Sequence, residues 1–332
     1  MKKQIFKLTL GILIGATFLA ILCHHLDISK VWSEIKKVDT YWLSLSLTAI
    51  VISFVVRAER WRQILKPINP KISLLASWRI FIIGLAGNVV LPFRLGDFFR
   101  GTFFARHLNV PVGALMTSIL IEKMCDLVFI VLLGGFALFA VPEVGHAEAF
   151  HIGGSMIFLI GAIAITFLFC ARWLRRPVMY CAEKVLSPFP VKLSEKLLTI
   201  AGHVFMALDF LARPLVMTKV MVLSAITWIF EWMTFVFVAM GISSLHRPLG
   251  AMVAMPLATL STALPGAPAG LGTFDFFAEE AMKLIGNSRD ASTAYAFLVH
   301  AVILGATVIL AVLALLGQDL KAPSSANEEE IS

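Results

Sequence analysis

Leu91-Pro92-Phe93-Arg94-Leu95-Gly96-Asp97-Phe98-Phe99 and, later in the chain, Leu264-Pro265 running through Leu271-Gly272-Thr273-Phe274-Asp275-Phe276-Phe277 share one order of features. In each, a helix-breaking Leu-Pro interrupts an apolar stretch and is followed by a glycine and then a carboxylate. Proline lacks a backbone donor and disfavours helix in the residue before it, so each stretch must turn where its hydropathy alone would let it continue. Paired interruptions at corresponding places in two halves of a polytopic chain point to a substrate site built by an inverted repeat. Leu-Pro alone is common in a Leu-rich chain; the shared order of breaker, glycine and acid carries the expectation.

The chain around these turns is 59% hydrophobic and 15% charged, with a mean hydropathy of +0.87, far from the composition of a soluble domain of this length. An integral membrane protein is expected. Apolar runs long enough to cross hydrocarbon cover residues 5–23, 41–56, 112–141, 152–170, 217–240 and 293–317, which makes six spanning helices. The first follows Met1-Lys2-Lys3 and has no Ala-x-Ala-like cleavage site, so an uncleaved span is expected. Cys23, Cys125, Cys170 and Cys181 form no Cys-x-x-Cys pair, and packing roles are expected for them.

The net charge of +7 is concentrated in two loops, one with Arg57, Arg60, Arg62, Lys66 and Lys71, the other with Arg172, Arg175, Arg176, Lys184, Lys192 and Lys196. The connection from Pro142 to His151 has Glu143 and Glu148 but no Lys or Arg. By the positive-inside rule both basic loops and both termini belong in the cytoplasm, so the charge reflects topology rather than nucleic-acid binding. If the stretch Leu74 to Leu91 crossed fully, it would carry Arg94, Arg100 and Arg106 outside. A re-entrant hairpin removes the conflict, and the Pro- and Gly-broken stretch from Leu249 to Ile285 would do the same from the outer face. Non-helical backbone at membrane depth needs protein or a wet cavity around it, so both turns are expected inside the bundle.

The expected architecture is therefore an all-α polytopic membrane protein of six spanning helices plus two re-entrant helical hairpins in an inverted repeat. Residues 1–320 would form one membrane domain, with half-repeats 41–141 and 217–317 joined by a cytoplasmic segment over 171–216. In that segment Leu197, Leu198, Ala201, Val204, Phe205, Leu208 and Leu211 share a helical face, which suits an interfacial helix. Residues 321–332, with Glu328, Glu329 and Glu330, are expected to be a disordered acidic tail.

An ionisable group at the centre of a membrane helix costs roughly 2.5–3.5 kcal/mol, so each needs a partner, a cavity or a function. Glu122 and Asp126 lie one turn apart, with Lys123 within reach of Asp126. Two roles fit this cluster: a self-neutralised structural tie to the first hairpin, or direct contact with substrate. Arg94, Asp97 and Arg100 recur at intervals of three just beyond the first turn and leave net positive charge at a helix N-terminus, an arrangement suited to a lipid phosphate. Arg57, Arg60 and Arg106 are expected to snorkel to the interface. Asp275 is the counterpart of Asp97, but its neighbours Glu279 and Glu280 are acidic, so the two half-sites differ in charge. Glu231 has no basic residue within one turn; it is either protonated, paired with another helix or a proton relay. His300 is expected to be a packed or hydrogen-bonded histidine, with a proton role as the alternative. Asn88 is expected to satisfy broken backbone beside the turn, and Pro92, Gly96, Pro265, Pro268, Gly270 and Gly272 to form the two turns.

In order along the chain, Arg60-Trp61-Arg62, Gly84 with Asn88, Leu91-Pro92-x-Arg94-x-Gly96-Asp97-x-x-Arg100, Glu122-Lys123-x-x-Asp126, and Leu264-Pro265 through Pro268-Ala269-Gly270-Leu271-Gly272-x-x-Asp275 make a motif string. The string resembles that of the lysylphosphatidylglycerol synthase transmembrane-region family, a flippase-like membrane domain found alone or fused to a soluble aminoacyl-transfer domain. The resemblance covers residues 5–317. Lys123 stands where arginine is usual in the family, Ala269 where glycine is common, and Asp97 and Asp275 where glutamate is frequent; each change keeps charge or small size. No aminoacyl-transfer domain follows the last span, so the resemblance implies the activity of the membrane domain alone, movement of a lipid between leaflets of the cytoplasmic (inner) membrane. It implies a substrate class of anionic or aminoacylated phospholipids, hopanoids or polyprenyl-linked lipids.

Three functions are carried forward. The first is a lipid translocator in which Arg94, Arg100 and Lys123 hold the head group, Glu122, Asp126 and Glu231 organise the site, and Asp97 and Asp275 brace the turns. The second is a membrane enzyme of polyprenyl-linked glycolipid or head-group chemistry. No Asp-x-Asp, Gly-x-Ser-x-Gly, His-Glu-x-x-His or Walker motif occurs, which favours transport and suggests neither catalytic residue, metal nor cofactor. The third is a non-transporting partner that docks a soluble lipid-modifying enzyme.

Overall fold

Helix starts and stops follow local chemistry. The Asp39 carboxylate accepts from the Tyr41 N–H at 2.8 Å and caps helix α2, Thr40–Leu65. Ser73 Oγ accepts from the Ala76 N–H at 3.1 Å and caps α3, Leu74–Val90, which stops just ahead of Pro92. The computed structural model describes residues 17–18, 28–91, 95–140, 155–156, 159–163, 166, 180, 184, 194, 214–263 and 267–316, and every regular element among them is helical. The remaining helices are α1 (Ile28–Lys36), α4 (Leu95–Thr102), α5 (Ala105–Leu108), α6 (Val112–Ala140), α7 (Pro214–Gly241), α8 (Ala251–Ser261), α9 (Thr273–Leu284) and α10 (Arg289–Leu316). Short 3₁₀ turns at Pro248–Gly250 and Pro268–Gly270 lead into α8 and towards α9.

Three described helices are long and apolar enough to cross a membrane: Thr40–Leu65, Leu215–Gly241 and Arg289–Leu316. Helix α6 matches them in length with 29 residues but carries Glu122, Lys123 and Asp126 in its middle. These four correspond to the spans expected over 41–56, 112–141, 217–240 and 293–317. Helix α2 continues nine residues past Val56, because Arg57 to Leu65 stay helical inside protein. The spans expected over 5–23 and 152–170 lie largely outside the described residues, as do most of the 171–216 segment, its interfacial helix and the acidic tail.

Short helices that pack on each other flank each Leu-Pro interruption. At about 1.5 Å per residue, α4, α8 and α9 reach only about 12, 16 and 18 Å, well short of a hydrocarbon core of about 30 Å. Helix α3 packs against α4, and α8 against α9. In the first hairpin the approach is close enough to require glycine. A Cβ on Gly96 would stand 2.1 Å from the Gly84 carbonyl oxygen and 2.4 Å from the Asn88 nitrogen. Lipid offers apolar side chains no reason to leave it, so tight packing of small residues does this work in membranes.

The helices pair in a pattern that is unchanged when the two segments α2–α6 and α7–α10 exchange places. Helix α2 packs on α7; α3 meets α10 as α8 meets α6; α4 meets α6 as α9 meets α10. Ser46 Oγ donates to the Thr234 carbonyl at 3.1 Å and Ser53 Oγ to the Thr227 carbonyl at 3.3 Å, so α2 and α7 run antiparallel. One apolar core gathers Trp228, Phe235, Phe274 and Tyr295, and another Ile50, Trp61, Phe81 and Leu115. Helix α3 meets the 3₁₀ turn Pro268–Gly270. Gly96→Ala is expected to lower stability by at least about 1–3 kcal/mol, since its Cβ would meet backbone that cannot rotate away; thermal unfolding of purified protein in detergent measures it.

Candidate functional site

Four carboxylates, Asp97, Glu122, Asp126 and Glu231, meet four cations, Arg57, Arg60, Arg100 and Lys123, at the junction of α2, α4, α6 and α7, with α10 completing the enclosure. Arg60 projects from α2 and donates to Asp126 Oδ1 at 2.8 Å and to Ser224 Oγ at 3.0 Å. Trp228 Nε1 donates to the same Asp126 oxygen at 3.1 Å. Arg57, one turn before Arg60, bonds the Glu231 carboxylate, lies 3.7 Å from Asp126 Oδ2 and stacks over Trp228. Ser53 Oγ donates to Glu231 at 3.3 Å. Arg57 and Glu231 both occupy the eighteenth position of their helices.

This corrects the expectation that Arg57 and Arg60 snorkel to the interface. Sequence reading ended the second span at Val56 and handed both arginines to a loop, whereas the helix continues and buries them. Glu231 is paired with another helix, the second of its three expected alternatives. The signal available in sequence was complementary need: an unpartnered Glu231 in one span and two arginines at i and i+3 in another.

A second group links the first hairpin to α6. Arg100 donates to Glu122 at 2.9 Å, lies 3.5 Å from Asp97 and stacks over Trp61 and Phe81. It is 1% exposed, and its charge is paired within the protein with Glu122 and Asp97. Asp97 also receives Lys123 Nζ at 3.0 Å. Lys123 thus turns to Asp97, with Glu122 at 3.8 Å, instead of to Asp126 as its spacing suggested. The Asn88 side-chain oxygen accepts from the Asp97 N–H at 3.0 Å, satisfying the backbone beside the turn as expected. Pro92 and Arg94 lie outside the described residues, as does Pro265.

In the second hairpin Asp275 reaches back to accept from the Gly272 N–H at 3.0 Å and caps α9. Its other oxygen lies 2.8 Å from His300 Nδ1 on α10, and His300 Nε2 lies 3.2 Å from the Ala269 carbonyl oxygen. Gly270 and Gly272 hold positive φ angles of 77° and 84°, as does Ala269 at 61°, where a side chain is strained. Pro268 opens this turn. The acidic character expected around it is offset: Lys283 lies 2.5 Å from Glu280 and 3.9 Å from Glu279, and Arg289 lies 3.4 Å from Glu279.

Between the hairpins lies a cavity of about 610 Å³. Its wall is lined by Arg57, Lys123, Asp126 and Glu231, by Asn88, Thr259, Thr262, Ala269 and His300, and by apolar residues such as Leu85, Ile130 and Phe274. Arg100, Glu122, Asp97 and Asp275 stand behind the wall and hold its members. Lys123 lines the cavity and keeps 38% of its side chain exposed. Both signs of charge and several hydroxyls thus line one apolar-walled space, the usual form of a site for a small polar group. Among the described residues no group of three or more His, Cys, Asp or Glu is arranged to hold a metal ion.

Comparison with known proteins agrees with the motif string. Residues 8–311 match the family model described as the lysylphosphatidylglycerol synthase TM region. The chain is also 26% identical over 138 residues to the glycosyltransferase AglD of Haloferax volcanii, a match that covers 42% of this chain and 22% of that protein. The chain therefore spans a minor part of that relative's length. No solved structure matches.

Arg60→Met is expected to lower stability by roughly 3–5 kcal/mol, because Asp126 keeps its burial and loses its closest cation; Asp126→Leu costs at least as much, since Arg60 and the Trp228 N–H lose their acceptor. Chemical unfolding of the purified variants measures both. Ala269→Gly is expected to act in the other direction, raising stability by about 0.5–1 kcal/mol through relief of the left-handed alanine, read as a higher unfolding temperature.

Proposed function

Because the chain belongs to the lysylphosphatidylglycerol synthase TM-region family, and is an integral membrane protein with a lipid-related function, we propose that it moves a phospholipid or related lipid between the leaflets of the cytoplasmic membrane. The observation that carries this reading is the mixed-charge cavity between the two hairpins. A lipid head group is polar and ionic, and its cost in hydrocarbon is what prevents spontaneous exchange. A cavity that offers Arg57 and Lys123 to phosphate, with Asp126 and Glu231 beside them for a cationic substituent, lowers that cost while the acyl chains stay in lipid. The exchange-symmetric packing and the antiparallel α2 and α7 support an inverted repeat whose hairpins enter from opposite faces, the first from the cytoplasm.

In this reading Arg100, placed by sequence among the head-group ligands, holds Glu122 and the first hairpin instead. Arg57 takes its place at the phosphate beside Lys123, with Arg94 next to the first turn as a further contact. The substrate class stays with anionic or aminoacylated phospholipids, hopanoids and polyprenyl-linked lipids. One observation favours a second reading: the partial match to a protein named as a glycosyltransferase suits a membrane domain serving lipid-linked sugar chemistry, alone or with a soluble enzyme.

Reconstitution in liposomes with head-group-labelled lipids separates these. Wild-type protein is expected to exchange label between leaflets. Lys123→Gln, and the paired change Arg57→Gln with Glu231→Gln, which removes the cation without stranding the acid, are expected to slow exchange about tenfold or more, an increase in barrier of roughly 1.4 kcal/mol. Wild-type exchange no faster than in protein-free vesicles across these lipid classes would contradict translocation, and sugar transfer to a polyprenyl lipid by the same preparation would establish the second reading.

A further inference from the structure

The ring of His300 is held between two acceptors. Nδ1 faces a carboxylate oxygen of Asp275 at 2.8 Å, and Nε2 faces the Ala269 carbonyl oxygen at 3.2 Å. A neutral imidazole has one N–H and one lone pair, so beside an ionised Asp275 either tautomer would point a lone pair at an acceptor. The geometry is satisfied only when the pair holds one more proton, giving an imidazolium between carboxylate and carbonyl or a protonated Asp275 donating to the ring. The 2% and 6% side-chain exposure of Asp275 and His300 leaves no bulk water to make good the mismatch.

Its counterpart in the first hairpin sharpens the point. Asp97 stands at the start of the returning arm α4 and is held by Lys123 from α6; Asp275 stands at the start of α9 and is held by His300 from α10. Lys123 and His300 each occupy the twelfth position of their helices. The same clasp is thus built twice, once with an amine and once with an imidazole, whose two ring nitrogens can each carry or lose a proton.

We propose that Asp275, His300 and the Ala269 carbonyl form a proton-binding site that closes the second hairpin, and that loss of this proton releases the turn into the cavity. The proton leaves from a ring nitrogen, or equivalently from the Asp275 carboxyl, and the hydrogen bond to Ala269 or to Asp275 is lost with it. Ala269, in its strained left-handed conformation, then has one less contact to hold it. The cavity that His300 lines also carries Arg57 on α2, Lys123 and Asp126 on α6 and Glu231 on α7; the elements packed against the site further carry Glu279, Glu280 and Lys283 on α9, Arg79 on α3, Arg289 and Asp290 on α10, and Lys30, Glu34 and Lys36 on α1. Because Ala269 and His300 line the cavity, opening here would change access to it. The consequence for transport rests on the translocation proposed above and would link lipid movement to proton binding.

Two measurements on the full chain in lipid nanodiscs test the site without using lipid exchange. In ¹⁵N-histidine NMR, with the His300 signals identified by their loss in His300→Gln, both ring nitrogens are expected to be protonated, or one protonated with the other accepting from the Asp275 carboxyl, at about pH 5.5, and this state to be lost by about pH 8. In hydrogen–deuterium exchange, the Gly272 amide, which donates to Asp275, is expected to be as protected in wild type as in His300→Lys at about pH 5.5, and to exchange about tenfold faster than in His300→Lys at about pH 8. Comparison at equal pH cancels the intrinsic pH dependence of exchange. A neutral, unbonded imidazole throughout, or equal Gly272 protection in both proteins at both pH values, would overturn the proposal while leaving translocation intact; a positive result with no lipid exchange would do the reverse.

Discussion

The carboxylate of Asp126 carries a charge into the middle of a helix bundle, and the arrangement around it follows from the need to keep that charge satisfied. Arg60 and Trp228 donate to one of its oxygens, and Arg57 approaches the other. Desolvating each such ion costs several kcal/mol, and the cost is met only where the geometry supplies donors on several sides. The donors come from α2 and α7 while the acid comes from α6, so the three helices have one register in which all are matched. Hydrophobic burial cannot set that register in lipid, where leaving the hydrocarbon gains an apolar side chain little. Polar matching and close glycine packing do so instead, the former at Asp126 and the latter where Gly96 meets the backbone of α3.

From this fixed frame the two hairpins hang on comparable clasps. Each returning arm begins with an aspartate, and each aspartate is gripped by the long helix that follows it. The first arm gains extra anchorage from Arg100, which sits behind the cavity wall and bonds Glu122. The second has the capping bond from Asp275 to Gly272 and a turn with three consecutive or nearly consecutive left-handed residues. A rigid frame with one heavily tied hairpin and one lightly tied hairpin suits a site that must change access at one end without losing its shape.

Much of the fold was legible because helix breakers and charge bias are one-dimensional signals. The all-helical membrane fold and its three clear apolar spans could be read from hydropathy, and the helix breaks from Pro and Gly. Partner choice was not legible, because it depends on rotation of one helix against another. Arg57 and Arg60 looked like interfacial snorkels since the hydropathy ended at Val56, although the helix did not. Arg100 looked like a phosphate ligand because Arg94, Asp97 and Arg100 share a spacing; only the packing of α4 on α6 shows that Glu122 consumes its charge. His300 is hydrogen-bonded, in line with the expectation, but that its partner is Asp275, and that it shares a helix position with Lys123, appears only once the helix starts and packing are known.

The central claim is that a lipid head group occupies the cavity between the hairpins. Photo-crosslinking tests it most directly: a benzophenone amino acid at Val89, on the cavity wall, is compared with one at Val222, an exposed position on α7, in protein reconstituted with phospholipid. Mass spectrometry of the adducts is expected to place the link on head-group atoms at Val89 and on acyl chains at Val222. Acyl-chain links alone at both positions, or no lipid adduct at Val89, would contradict it.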